Sequence, residues 1–207
     1  MKRFLAMFAV ISAVNLGSAY ADEGPAPDAL VWCGLDYSMV KMIGTTDFHE
    51  PDKIFPGMLA EWNGLFLKEM LPQLEKMATS VYADVKAVQK PNSNATASQI
   101  INEDGTKDEM VKPTHITEKN IADAVKGYEI KYKQGLGLVF IVDRFVGVQK
   151  TECLYVVFFD VASRKVLFSE RECTTAEGFG FRNYWFRPVK NAMKTLPAKY
   201  KVAKSKR

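Results

Sequence analysis

Apolar residues gather in long runs along the second half of the chain, with polar segments between them. Residues 138–146 and 154–161 are apolar runs that do not alternate, interrupted only by Asp143-Arg144 and by Asp160. Such runs are typical of strands that are covered on both faces. A short polar connection then leads to a partly polar run at residues 166–173. The pattern predicts three consecutive strands, the last two joined as a hairpin.

Helical spacing of apolar residues predicts three helices. The first covers residues 52–70, where Pro56 fits the first turn and would break the interior. The second covers residues 117–128, with Thr117 as its N-cap. The last covers residues 181–196, and Pro188 is expected to kink or delay it.

Two further strands are predicted at residues 30–40 and 80–88, while residues 90–113 are polar and indicate little regular structure. The resulting order is β-α-β-α-β-β-β-α. This order predicts an α+β fold in which helices pack on a single mixed or mostly antiparallel sheet.

The first residues have the pattern of a signal peptide. Three residues with two cationic side chains precede an apolar run at residues 4–16, and Ala19-Tyr20-Ala21 matches a small-x-small cleavage site. The run is shorter than the ~20 apolar residues that cross a bilayer. We therefore expect a signal peptide at residues 1–21 and an exported protein, periplasmic or secreted. No transmembrane segment is expected in the mature chain.

The length of the mature chain predicts the number of domains, and its net charge excludes one class of function. Cleavage after Ala21 leaves 186 residues with 26 basic and 24 acidic side chains, a net charge of +2. This length predicts a single domain at residues 22–200. Residues 201–207 form a basic tail that is expected to be solvated and disordered. So small a charge is not that of a nucleic-acid-binding protein.

The three cysteines suggest one disulfide. A turn centred on Ser163 places Cys153 and Cys173 opposite each other on neighbouring strands, where Cβ atoms approach to ~4.5–5.5 Å. An exported protein can keep such a bridge oxidised. The alternative is two separate reduced thiols with a shifted register. Cys33 lies in an apolar strand and is expected to be a small core residue.

The candidate binding site is a run of polar and aromatic residues at the start of the last helix: Arg182, Asn183, Tyr184 and Trp185. Arginine with aromatic residues is the composition of a binding hot spot. The alternative is structural, with Trp185 anchoring the core. Residues 47–52 hold metal-ligating types at no recognised spacing, so helix capping is favoured, with Asp52 as the leading cap. No metal or cofactor is predicted.

No catalytic motif is present, since the chain has neither a nucleophile elbow nor a nucleotide fingerprint. We therefore expect a non-enzymatic envelope module that binds or scaffolds a partner protein through the candidate site. The alternative is an enzyme or small-ligand binder that uses Asp36 or Asp47 beside the sheet. The oligomeric state stays open.

Several segments resemble a family of exported bacterial proteins to which no activity attaches. They are residues 34–38, 43–44, 62–63, 135–140, 158–160 and the Gly-Phe-Gly-Phe-Arg-Asn-Tyr-Trp run at 178–185. More distantly, the layout is similar to the envelope domains of the TolB amino-terminal and penicillin-binding-protein-activator type. That similarity implies fold alone. The chain lacks the lipid-bearing cysteine of many such proteins, which speaks against outer-membrane anchoring.

Overall fold

The computed structural model describes residues 24–44, 47–101 and 114–207. The predicted signal peptide lies outside the described residues. Within the described part, seven strands form one sheet. They are β1 (Leu30–Asp36), β2 (Lys41–Ile43), β3 (Val81–Ala83), β4 (Ile100–Ile101), β5 (Leu136–Val146), β6 (Thr151–Asp160) and β7 (Val166–Thr175).

The sheet is built around β5. On one side, β1 pairs with the first half of β5 and β2 with its last residues, both in parallel. Outside them, β3 is parallel to β1 and β4 is parallel to β2. On the other side, β6 and then β7 follow as antiparallel neighbours. The sheet is therefore mixed.

Helices pack on this sheet, so the predicted α+β class and the single sheet packed by helices are confirmed. They are α1 (Pro51–Lys53), α2 (Leu59–Glu69), α3 (Leu71–Met77), α4 (Gln89–Asn92), α5 (Glu118–Gly127), α6 (Gly180–Trp185) and α7 (Arg187–Ser205). A mostly antiparallel sheet is not what is seen, since four of the strand pairings are parallel. The predicted order also differs, because β2 and β4 add two short strands.

Helices cover both faces of the central strands, which explains their continuous apolar runs. Leu138 and Phe140 point to the face covered by α2, α3, α6 and α7. Val139 and Ile141 point to the other face, covered by α5 and the turn before α4. On the first face Trp32 stacks on Phe66, with ring centroids 3.8 Å apart. Each fully buried aromatic side chain of this kind contributes about 1.5–3 kcal/mol.

Beyond its pairing with β3, the outer edge of β1 is held by asparagine side chains. Asn63 Oδ1 accepts a hydrogen bond from the Leu35 amide at 2.7 Å. Asn92 Nδ2 donates to the Leu35 carbonyl at 2.9 Å, and its Oδ1 accepts from the Tyr37 amide at 2.8 Å. Gly34 allows this approach, because a Cβ there would lie 2.7 Å from Asn63 Oδ1. Two amides thus replace a neighbouring strand.

The helix ends show which local predictions hold. Thr117 caps α5 by accepting a hydrogen bond from the Asn120 amide, as predicted. Pro56 lies before α2 rather than within it, and Pro188 lies in the first turn of α7, which begins directly after α6. Asp52 does not cap a helix: the N-cap of α1 is Glu50, which makes no side-chain cap.

The basic C-terminal residues also differ from the prediction. The helix α7 continues through Ser205, so Lys201 and Lys204 are helical and not part of a disordered tail. None of the helices in the described part of the chain is both long and apolar enough to cross a membrane.

The hairpin of β6 and β7 has the register predicted from a turn centred on Ser163. Cys153 lies opposite Cys173, and Phe158 lies opposite Phe168. The two cysteine sulfur atoms are 2.06 Å apart, at bonding distance. The third cysteine, Cys33, is fully buried, and burial raises the pKa of its thiol far above the ordinary value. Cys33 is therefore a core residue without a reactive thiolate.

Candidate functional site

A cleft of about 310 Å³ opens at the end of the sheet where β5 turns into β6. Three segments of the chain meet there: the loop after β2, the β5–β6 turn and the start of α6. The lining residues are Asp47, His49, Glu50, Ile54, Met58, Gly147, Lys150, Gly180, Phe181, Tyr184 and Trp185.

A close contact between the first two segments shapes the floor of the cleft. Asp47 packs directly on Gly147 in the β5–β6 turn, where an added Cβ would lie 2.2 Å from Asp47 Oδ2. Any residue other than glycine would therefore push the Asp47 side chain away. The contact holds a carboxylate beside the turn that also contributes Lys150.

Aromatic rings form one wall of the cleft. Trp185 packs against Phe145 and Phe48, with ring centroids 5.0 and 5.4 Å away. Phe181 stacks on Trp62 at 6.4 Å. Trp185 is only 4% exposed and belongs to the core. The wall is therefore rigid, because its rings are fixed from behind by the packing of α2 and the sheet.

The four residues of the predicted site divide into two pairs. Tyr184 and Trp185 reach the cleft, the former half-buried and the latter as part of the core. Arg182 and Asn183 are exposed and do not line the cleft, and Arg182 lies 3.7 Å from Glu61 of α2. Trp185 therefore lies in the core, which is the position that the structural alternative predicted.

Acidic groups face the aromatic wall. The hydrogen bond from Lys53 lowers the pKa of the exposed Glu50, which is therefore ionised at neutral pH. Burial, and then the charge of Asp47, raise the pKa of the Tyr184 hydroxyl, which keeps its proton. Asp47, Glu50 and Lys150 thus line the same cleft as the rings of Tyr184 and Trp185.

Two exposed apolar side chains flank the cleft. Phe179, directly before the lining residue Gly180, is 96% exposed. Val148, directly after the lining residue Gly147, is 66% exposed. Exposed apolar side chains indicate an interaction surface where they join into a contiguous patch, as these two would with the aromatic wall of the cleft. Sequence reasoning missed both of them, since neither stands out from its neighbours in the amino-acid pattern.

The other acid of the predicted alternative, Asp36, lies far from any open surface. It is fully buried at the end of β1, where it accepts a hydrogen bond from the Tyr128 hydroxyl at 2.6 Å. It also accepts one from the Ser38 amide at 2.9 Å. Asp36 is therefore engaged inside the fold, whereas Asp47 lines the cleft.

Metal binding has little to support it in the described residues. Across residues 24–44, 47–101 and 114–207, no three histidine, cysteine, aspartate or glutamate side chains lie close enough to hold an ion. The acids of residues 47–52 do not act as helix caps either. Asp47 and Glu50 instead line the cleft.

Comparisons with known proteins add little. No protein-family model and no curated protein matches the chain. Among solved structures, it is similar to the crystal structure of lipoprotein GNA1162 from Neisseria meningitidis, at 13% sequence identity and a TM-score of 0.34. The match covers 83% of this chain and 97% of that one. A likeness at this TM-score carries no argument about fold, compartment or function.

Proposed function

We propose that the protein is an exported, non-enzymatic binding module of the bacterial envelope, which holds a segment of a partner protein at the cleft beside α6. The proposed function is the one expected from the sequence, but the proposed binding site is the cleft. The partner contacts Tyr184, Trp185 and the exposed Phe179, while Arg182 and Asn183 border the contact. The segment at 178–185 that resembles exported bacterial proteins thus forms one side of the binding site.

The observation that carries the proposal is the exposure of Phe179 and Val148 on either side of a preformed aromatic cleft. Leaving two large apolar side chains in water forgoes the free energy that burial would contribute, about 1.5–3 kcal/mol for each. A partner that covers the cleft would bury both. Aromatic residues at the centre of such a patch commonly contribute most of the binding energy.

The chemistry of the cleft suits a cationic side chain. Asp47 and Glu50 supply carboxylates, and the half-buried ring of Tyr184 supplies a face that attracts cations. A lysine or arginine of the partner can pair with a carboxylate while its aliphatic stem packs on that ring. We therefore propose a partner segment that combines an apolar residue with a basic one.

A second candidate function is the binding of a small cationic ligand in the cleft. Asp47 favours it, because this carboxylate is set into the cleft against Gly147 rather than into the core. A volume of about 310 Å³ is at the lower end of the range for ligand pockets. The cleft could therefore hold a small molecule alone, without a partner protein.

Site-specific cross-linking in the envelope tests the first candidate. A photo-crosslinking amino acid in place of Phe179 should yield one discrete product with another envelope protein. The same amino acid in place of Val202, exposed on α7 far from the cleft, is the control and should not yield that product. Asp47→Asn should weaken the product about tenfold, since a hydrogen bond to a charged group contributes about 1.5–3 kcal/mol. Asp52→Asn, an exposed neighbour outside the cleft, should leave it unchanged.

The outcomes separate the two candidates. No product from position 179, or equal products from positions 179 and 202, would contradict a partner protein at the cleft. Native mass spectrometry of the purified protein then tests the second candidate. A bound small molecule that is retained by the Asp52→Asn variant and lost in the Asp47→Asn variant would establish a ligand site instead.

A further inference from the structure

The end of the molecule opposite the cleft has a different charge. Four segments meet there. They are residues 24–29 before β1 (the entry of the chain into the fold), residues 129–135 before β5, the β6–β7 turn at 160–165, and the end of α7 at 199–207. Together they carry nine basic and three acidic residues. The eleven residues of β5 separate this end, which we call the basic end, from the cleft by about 33 Å.

Contacts bring these four segments together. Gln134 Nε2 donates a hydrogen bond to the Pro25 carbonyl at 2.9 Å, so the entry of the chain lies on the segment before β5. Arg207 pairs with Asp160 at 3.2 Å and donates to the Pro27 carbonyl. The end of α7 is thereby fastened to both the β6–β7 turn and the entry of the chain.

Basic side chains at this end border two surface cavities. Lys131 and Lys133 line one of about 650 Å³, and Arg164, Lys165 and Lys206 line another of about 690 Å³. Acids offset some of these charges, since Lys199 is buried and paired with Glu170 and Glu172, and Glu118 also lines the second cavity. Asp160 is paired with Arg207, and Glu129 is paired with Lys90 at 2.8 Å.

The cleft end gives the contrast. Residues 47–54, 147–150 and 176–187 carry four basic and four acidic residues. Most of these cations are paired there, as Arg187 is with Glu177 at 2.8 Å. In the described part of the chain, by comparison, no ion pair joins Lys133, Lys165, Lys204 or Lys206 to a carboxylate. The positive field of the molecule is therefore concentrated at one end.

The basic end also carries the residue types of a membrane interface. Val202 is 43% exposed and lies between Lys201 and Lys204. Tyr82 and Tyr132 form an edge-to-face pair at 5.3 Å on the rim of the first cavity. Tyrosine rings and lysines with an exposed apolar residue are the composition of surfaces that rest on lipid headgroups.

We propose that the basic end docks on an anionic lipid bilayer surface, so that the cleft at the other end faces away from the membrane. Each lysine close to an anionic leaflet strengthens binding about fivefold. Several lysines acting together give an attachment that is reversible and sensitive to salt. The inference does not depend on what occupies the cleft.

Vesicle binding of the exported protein, purified from the envelope, tests the proposal. We expect the protein to sediment with vesicles that contain phosphatidylglycerol and to stay in solution with vesicles of phosphatidylcholine alone. Raising the salt to 0.5 M, where the Debye length is only about 4 Å, should release it. Lys165→Glu with Lys204→Glu should weaken the binding at least tenfold, or about a hundredfold if each lysine lies close to the headgroups.

A matched variant separates location from net charge. Lys41→Glu with Lys68→Glu changes the net charge equally at two exposed lysines that lie outside the basic end, and it should alter binding less than twofold. Melting curves show whether each variant is folded. Equal binding to both kinds of vesicle, or equal loss in both double variants, would overturn the proposal. So would competition by millimolar inorganic phosphate at constant ionic strength, since that result indicates a site for the free anion.

Discussion

Two buried carboxyl groups lie on neighbouring strands and on opposite faces of the sheet, and they have opposite chemistry. Asp143 of β5 and Glu152 of β6 are both fully buried. Burial alone would raise the pKa of either group. For Asp143, the hydrogen bond from His115 and the charges of Arg144 and Arg171 outweigh burial and lower the pKa to about 2. For Glu152, burial acts alone, and its pKa is raised well above the ordinary value.

The surroundings of the two groups explain the difference. Asp143 Oδ2 lies 2.7 Å from a guanidinium nitrogen of Arg171, and Asp143 Oδ1 accepts a hydrogen bond from Thr114 at 2.9 Å. It thereby joins β5 to β7 and to the segment before α5. Neither carboxyl oxygen of Glu152 has a hydrogen-bond partner among the described residues. Its neighbours across the sheet are Phe145 and Thr174.

Partners, and not burial, determine the direction in which the pKa of each of these interior acids is shifted. Asp143 is an ionised group that holds three segments together. Glu152 is a group whose pKa is raised by burial, on the face that also carries the aromatic wall, because its neighbour Phe145 packs on Trp185. An orphaned buried carboxyl of this kind lowers stability, and a native fold commonly offsets that with buried water.

The largest expected effect is the loss of the Asp143 charge. Asp143→Asn leaves Arg144 and Arg171 without their shared carboxylate, and breaking a buried pair in this way costs about 3–5 kcal/mol. Urea unfolding at pH 7 measures the change in the free energy of unfolding. Asp28→Asn, at an exposed position, is the control and should change it by less than about 0.5 kcal/mol.

Acid should remove part of the same stabilisation. In the unfolded chain Asp143 takes up a proton near pH 4, whereas in the folded protein it does so only near pH 2. The unfolded state therefore binds more protons between these values, and the Asp143 contribution is lost as the pH falls from about 4 to 2. The loss is about 2.5 kcal/mol. A gap between wild type and Asp143→Asn that stays constant over this range would contradict the assignment.

The second-largest expected effect is the loss of the disulfide bond between Cys153, which directly follows Glu152, and Cys173. Reduction, or Cys153→Ser with Cys173→Ser, should lower the free energy of unfolding by about 3 kcal/mol, because the bond closes a loop of about 20 residues. The double variant should still fold, because the pairing of Asp143 with Arg171 also holds β7. Mass analysis of the unreduced protein should find the two cysteines in joined peptides. Alkylation of both without prior reduction would contradict the bond.

These two regions also show what the sequence could reveal. The Cys153–Cys173 register follows from one short turn, so residue counting is enough to predict it. The pairing of Asp143 with Arg171 spans two strands and depends on which face each side chain takes. The contact of Asp47 with Gly147 joins residues 100 positions apart. No local pattern encodes such contacts, because they form only when β2 settles beside the end of β5.

The candidate site was predicted in part for the same reason. The aromatic run at 181–185 indicates a helix with an apolar stripe, and the stripe is indeed buried. Local spacing could not tell that Trp185 is fixed by Phe48 and Phe145 from two other segments. It also could not tell that Phe179 stays exposed. Whether an aromatic side chain anchors the core or contacts a partner is decided by distant residues.

The smallest expected effect comes from the orphaned acid, and its sign is opposite to that of Asp143. Because the folded protein keeps the proton on Glu152 while the unfolded chain releases it near pH 4.5, the protein should lose stability as the pH rises above that value. Glu152→Gln removes the titration at constant size. It should therefore gain stability relative to wild type at pH 8, with a smaller difference at pH 5.

Unfolding at the two pH values measures this difference, and Glu75→Gln, at an exposed position, is the matched control. A Glu152→Gln variant that is destabilised equally at both pH values would contradict a neutral Glu152. That result would mean that the carboxylate is charged and has a partner such as a buried cation. Asp143 and Glu152 would then both be ionised groups held by opposite charges. A pH-dependent gain would instead establish that one sheet holds a charged acid on one face and a protonated acid on the other.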